Sequence, residues 1–67
     1  MKNRLESLRK SQNITQAELA KTLAVSRQTV SSIENGRYNP SLDLAFKLAR
    51  CFNCTVEDIF IFEEEMI

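Results

Sequence analysis

The residues that stop helices are almost missing from this chain: it has one Gly and one Pro in 67 residues. What punctuates it instead is Ser, Thr and Asn, placed where apolar residues begin to recur at helical spacing. Asn3 precedes Leu5 and Leu8, with Glu6 three residues on, which predicts an N-cap and a first helix to about Gln12. Thr15 with Glu18 reads as a capping box opening a second helix through Leu23, with Leu19, Ala20 and Leu23 inward. Ser26 caps a third helix, whose buried stripe is Val30 and Ile33 and whose stop is Asn35-Gly36. Ser41, after Pro40, caps a fourth with Leu44, Ala45, Leu48, Ala49 and Phe52 on one face. Asn53 is placed to end it in the left-handed conformation. Thr55 with Asp58 caps a short fifth helix ending near Phe60. Each signal is weak alone, but together they predict an all-α, five-helix domain.

Length and composition exclude several function classes. A chain near 60 residues holds one domain and a marginal core, so an enclosed substrate cavity or small-molecule pocket is not expected. No His is present, which removes the commonest general base and metal ligand. No nucleophile–base pair can be drawn, so the chain is not expected to be an enzyme. The longest apolar run is four residues, Ile59 to Phe62, too short for a membrane span or a signal-peptide core. With two cysteines and no secretory segment, the expected compartment is the reducing cytoplasm. Cys51-Phe52-Asn53-Cys54 is a C-x-x-C, yet a structural zinc site needs four ligands and none remain. The cysteines read as small core residues, with a metal or redox-sensing role as the alternative. No cofactor and no metal are expected.

The formal net charge of zero hides a polarity. Up to Arg50 the chain carries nine bases and four acids, a net of +5; the last 17 residues carry five acids and no base, a net of −5. That split suggests a basic working surface and an acidic end with another task. The working surface falls on helices two and three. Two short helices lie about three residues apart, and the second displays Arg27, Gln28, Thr29, Ser31 and Ser32 outward. A helix-turn-helix needs this pattern: one helix crossing the phosphate backbone, the next presenting polar side chains to the major groove.

These residues carry a resemblance. Gln16-x-x-Leu19-Ala20, followed by Val25-Ser26-Arg27-x-x-Val30-Ser31-x-Ile33-Glu34-Asn35-Gly36-x-x-x-Pro40, looks like the Cro/phage-repressor type of helix-turn-helix regulator, the xenobiotic-response-element family. The likeness covers roughly Leu5 to Phe60 and is closest to the small, one-domain, dimeric members. It implies a lambda-repressor-like domain that binds operator DNA as a homodimer. Gln16 then matches a Gln that grips a phosphate; the alternative is a tolerated first-turn residue. Gln28 matches the base-reading Gln, suited to adenine N6 and N7, and Arg27 beside it can reach guanine or a phosphate. Ser32 matches a longer base-contacting residue, so a water would have to bridge its shorter reach; Ser31 is grouped with it. Thr29 offers a methyl to thymine or a hydroxyl to a phosphate. Asn35 and Arg37 match a backbone-contacting loop, against the alternatives of a helix cap and a solvated charge. Tyr38 touches backbone or covers the core edge. Arg9 and Glu34 match a partly buried salt bridge joining helices one and three.

The chain end is a second candidate site. Ile59-Phe60-Ile61-Phe62 is β-branched and aromatic, which favours a strand. Pairing with the same segment of a second copy would satisfy its backbone, so residues 60–67 are expected to form a short dimerisation strand with an acidic tail, after a DNA-binding domain over 1–60. The alternative is a frayed end of helix five. In the first case Glu63, Glu64 and Glu65 would flank the strand and stay away from DNA. The expected function is a sequence-specific regulator, a repressor by default, on a palindromic operator. The rival is a protein-interaction module, an antitoxin or adaptor. Against it stands the absence of aromatic anchors on the outward face of helix three.

Overall fold

Hydroxyl side chains decide where most of the helices begin. The structure, a computed structural model, describes residues 1–62. It contains α1 (Leu5–Ser11), α2 (Gln16–Leu23), α3 (Arg27–Glu34), α4 (Leu42–Cys51) and α5 (Val56–Ile59). Thr15 and Thr55 each accept from the backbone N–H three residues on, while Glu18 and Asp58 return the bond to the cap's own N–H. These reciprocal bonds satisfy two orphan donors per helix and hold both carboxyls below their usual range, chiefly through the backbone N–H of Thr15 and Thr55. Ser26 and Ser41 cap α3 and α4 by the same one-way bond. The chain turns between helices through left-handed residues: Asn13 (φ 57°), Ala24 (φ 58°), Gly36 (φ 73°) and Asn53 (φ 53°). Ala24 is the exception in type, because a Cβ there costs about 1–2 kcal/mol and nothing in the sequence marks it.

All five helices send side chains into one core. Leu5, Leu19, Val30, Ile33, Leu48 and Ile59 are fully buried, each contributing about 1.5–3 kcal/mol of apolar burial. Ala20 is buried where α2 packs on α3, and the Val25 N–H donates to its carbonyl at 3.0 Å.

Two expectations fail at the chain ends. Asn3 is not the N-cap of α1: Arg4 holds that position without a side-chain bond. Asn3 lies one residue further out, where its Oδ1 accepts from the Leu5 N–H at 3.1 Å and its Nδ2 donates to the Ile33 carbonyl at 2.8 Å. It thereby ties the start of α1 to the end of α3, a long-range role that no local spacing announces.

The larger correction concerns Ile59–Phe62. Among the described residues there is no strand; Ile59 ends α5, and Phe60 forms a single antiparallel bridge with Asn3 of the same chain. The Arg4 N–H donates to the Ile59 carbonyl at 2.7 Å and the Ile61 N–H to the Lys2 carbonyl at 2.9 Å. Two of the backbone groups that a second copy was expected to satisfy, the Ile59 carbonyl and the Ile61 N–H, are taken by this chain's own N-terminal segment. Ile59 (0% exposed) and Phe60 (8%) belong to the core and cannot form a dimer surface. Ile61 is half-buried and Phe62 stands 74% exposed. The glutamates at 63–65 lie outside the described residues.

Candidate nucleic-acid interface

The outward residues of α2 and α3 line two depressions. The first surrounds the start of α2. Gln16 and Arg27 line an open depression there, together with Lys10 and Asn13. Lys10 and Asn13 were not singled out from sequence. Lys10 also pairs with Glu6 at 2.9 Å, one helical turn back on the exposed face of α1. Thr15, Gln16 and Ala17, at the start of α2, also line this depression, where the helix dipole contributes partial positive charge. The arrangement suits an anion.

The second surface lies along α3. Gln28, Thr29 and Ser32 line a second depression with Ser26 and Tyr38. Gln28 is exposed, and Thr29 and Ser32 are half-buried. The Thr29 N–H donates to the Ser26 cap oxygen at 3.1 Å, and the Thr29 hydroxyl lies 2.9 Å from the same oxygen, which leaves that hydroxyl further hydrogen-bonding capacity beside its methyl. Tyr38 is 45% exposed beside the α3 face, held by its N–H to the Ser32 carbonyl at 3.2 Å. An aromatic ring therefore flanks this surface, from a loop rather than from the helix. Ser31 is half-buried and takes a 3.5 Å bond from the Asn35 amide instead of joining Gln28. Asn35 caps α3 and lines a third depression with Lys2, Asn3 and Gly36. Arg37 is exposed beyond it, its N–H on the Ser32 carbonyl at 3.0 Å.

Consecutive residues on a helix point about 100° apart. Gln28 and Ser32, one turn apart, line one depression, and Arg27 lines the other with Gln16.

Arg9 lines the first depression and Glu34 the third, and the two side chains form an ion pair. Arg9 donates through Nε to Glu34 Oε2 at 2.7 Å and through Nη2 to Oε1 at 3.3 Å, while its Nη1 takes the Ile14 carbonyl at 2.9 Å. The two side chains are 9% and 3% exposed. Glu34, foremost by its hydrogen bond, pushes the Arg9 guanidinium further towards its charged form. Gln16 joins this pair: its Nε2 donates to Glu34 Oε1 at 2.9 Å. That third contact crosses from α2 to α3 and is invisible to sequence spacing.

The remaining candidates are quieter. Cys51 and Cys54 are half-buried free thiols packed against the core. Burial, with Asp58 adding to it, pushes the Cys54 thiol up and away from the reactive thiolate. Among the described residues no group of three or more His, Cys, Asp and Glu could hold a metal ion. No helix among them is long and apolar enough to cross a membrane.

Known proteins resemble this chain in sequence and fold. The chain is 55% identical over 65 residues to an uncharacterized HTH-type transcriptional regulator of Methanocaldococcus jannaschii, covering 97% of this chain and 98% of that one. It is 41% identical over 59 residues to the competence pilus inhibition repressor of Acinetobacter baylyi, covering 88% of this chain and 54% of the repressor. Among solved structures, the restriction-modification controller protein C.AhdI from Aeromonas hydrophila superposes with a TM-score of 0.76 at 32% identity, over 85% of this chain and 86% of that one. The helix-turn-helix family model HTH_3 matches residues 5–59, the segment that holds all five helices and both polar surfaces, and the chain belongs to that family of DNA-binding transcriptional regulators.

Proposed function

We propose that the chain is a sequence-specific repressor acting in the cytoplasm, binding a palindromic operator as a homodimer with α3 in the major groove. The observation that carries this reading is the split of the outward face. A polar, neutral surface of Gln28, Thr29 and Ser32 lies along α3, and an anion-ready surface of Gln16 and Arg27 lies at the start of α2. Major-groove reading needs the first and phosphate anchoring the second. Gln28 reads adenine and Ser32 reaches bases through water, while Gln16, Arg27 and Arg37 hold phosphates. Two copies would place their recognition helices about 34 Å apart, one turn of duplex. Selection of bound duplexes from a random pool tests binding, palindromy and half-site spacing together; recovery of no common site overturns the reading.

Gln28→Ala should change base preference at one operator position by about 1–3 kcal/mol, whereas Arg37→Ala should weaken every duplex alike. Competition binding against single-base operator variants separates the two. Uniform loss in both mutants would remove the readout role of Gln28.

The dimer reading moves to the apolar side chains left in solvent. Phe62 is 74% exposed and lines a depression with Met1, Asn39 and Ile61. A Phe in water is unfavourable by about 1.5–3 kcal/mol, and burial against a second copy removes that cost. Phe62→Asp should convert the chain to a monomer by sedimentation; a persisting dimer would place the contact elsewhere.

A second reading draws on α4, where Leu42 (71% exposed) and Phe46 (53%) stand one turn apart. Such a ridge suits a protein partner, as an antitoxin or adaptor would need. An empty DNA selection would favour this reading.

A further inference from the structure

We propose that Glu34, neutralised by Arg9, is a positioning residue that sets the Gln16 amide for its contact with a DNA phosphate. The inference rests on the DNA-binding reading above and gives a role to two side chains that touch no DNA in it. An amide side chain presents an acceptor oxygen or a donor nitrogen, and a phosphate takes only donors. A free Gln at the first position of α2 would sample both orientations. Here Glu34 Oε1 sits 2.9 Å from Gln16 Nε2. Turning the amide over would set two acceptor oxygens against each other at that distance. Glu34 itself has little freedom, because its side chain is 3% exposed. The orientation of Gln16 is thereby fixed, and its second amide hydrogen is left for a ligand in the depression that it lines with Lys10 and Arg27.

A bare carboxylate at this place would repel the phosphate it is meant to serve. Arg9 removes that conflict. It places one nitrogen on each Glu34 oxygen, including the one that Gln16 uses, at 2.7 and 3.3 Å. Its third nitrogen holds the Ile14 carbonyl at 2.9 Å, next to the Thr15 cap. The pair thus fixes the start of α2 through its backbone and through its first side chain. One element from each of α1, α2 and α3 takes part, so the anion site is set by the packing of three helices.

The test is a mutant cycle on the full chain, read as affinity for a short duplex of random sequence at low salt. Gln16→Ala should weaken binding by about tenfold or more. Arg9→Met with Glu34→Met replaces the pair by apolar groups of similar size, a change that buried ion pairs often tolerate. The folded double variant should lose affinity to a similar degree, and adding Gln16→Ala to it should cost little more. Losses that multiply, or a folded Met variant with unchanged affinity, overturn the positioning role alone. A wild-type chain that binds no duplex overturns the DNA reading and this inference with it. If the Met variant does not fold, side-chain amide exchange in the wild type decides: Gln16 should exchange several-fold more slowly than exposed Gln12, and equal rates overturn the proposal.

Discussion

Raising salt from about 50 to 200 mM should lower duplex affinity by about 150-fold. The estimate follows from the placement of the bases. Arg27 lines the depression at the start of α2 and Arg37 stands exposed beyond α3. In the proposed dimer, two cations per subunit would neutralise about four phosphates, each contributing about −0.9 to the slope of log affinity on log salt. Lys10, which lines the same depression, would raise the count if it exchanges Glu6 for DNA. Fluorescence anisotropy over a salt series measures the slope directly. A flat response would remove the DNA reading, and it is the response that the zero net charge of the whole chain would suggest.

Glu34→Ala should cost about 3–5 kcal/mol of stability. The loss is large because of what remains, more than because of what is removed. Arg9 is 8% exposed and would keep its charge with only the Ile14 carbonyl as acceptor. Gln16 would lose its acceptor at the same time. A domain of this size has about 5–15 kcal/mol in total, and each kcal/mol lowers the midpoint by about 4–8 °C. The expected fall is therefore more than about 12 °C in a circular-dichroism melt. Glu6→Ala is the matched control: its partner Lys10 and Glu6 itself are exposed, and its midpoint should barely move. Similar melts for the two variants would show that the buried pair contributes no more than a surface one.

Most of the fold was legible because its signals are local. A Thr or Ser cap acts on the N–H three residues ahead, and Glu18 and Asp58 reply over the same distance. The left-handed stop at Asn53 and the turn at Gly36 follow from the two residue types that accept positive φ most easily. Ala24 takes the same conformation with no such signal. Residues one turn apart, such as Gln28 and Ser32, share a face by helical geometry alone. Once α3 is known, their meeting is already determined.

The sequence by itself therefore determined the five helices, the inward stripes and the set of polar side chains on the second and third helices. Only the tertiary structure decided what those side chains do to one another. Ile59–Phe62 has the composition of a strand seeking a partner, and composition is silent on whether that partner is a second copy or residues 2–4 of the same chain. Packing settles it, by bringing Lys2 and Arg4 within hydrogen-bond distance of Ile61 and Ile59. The same holds for Asn3 on Ile33 and Gln16 on Glu34. These are bonds between elements far apart in sequence. Their free energy depends on where the core places each backbone, which no cap or spacing encodes.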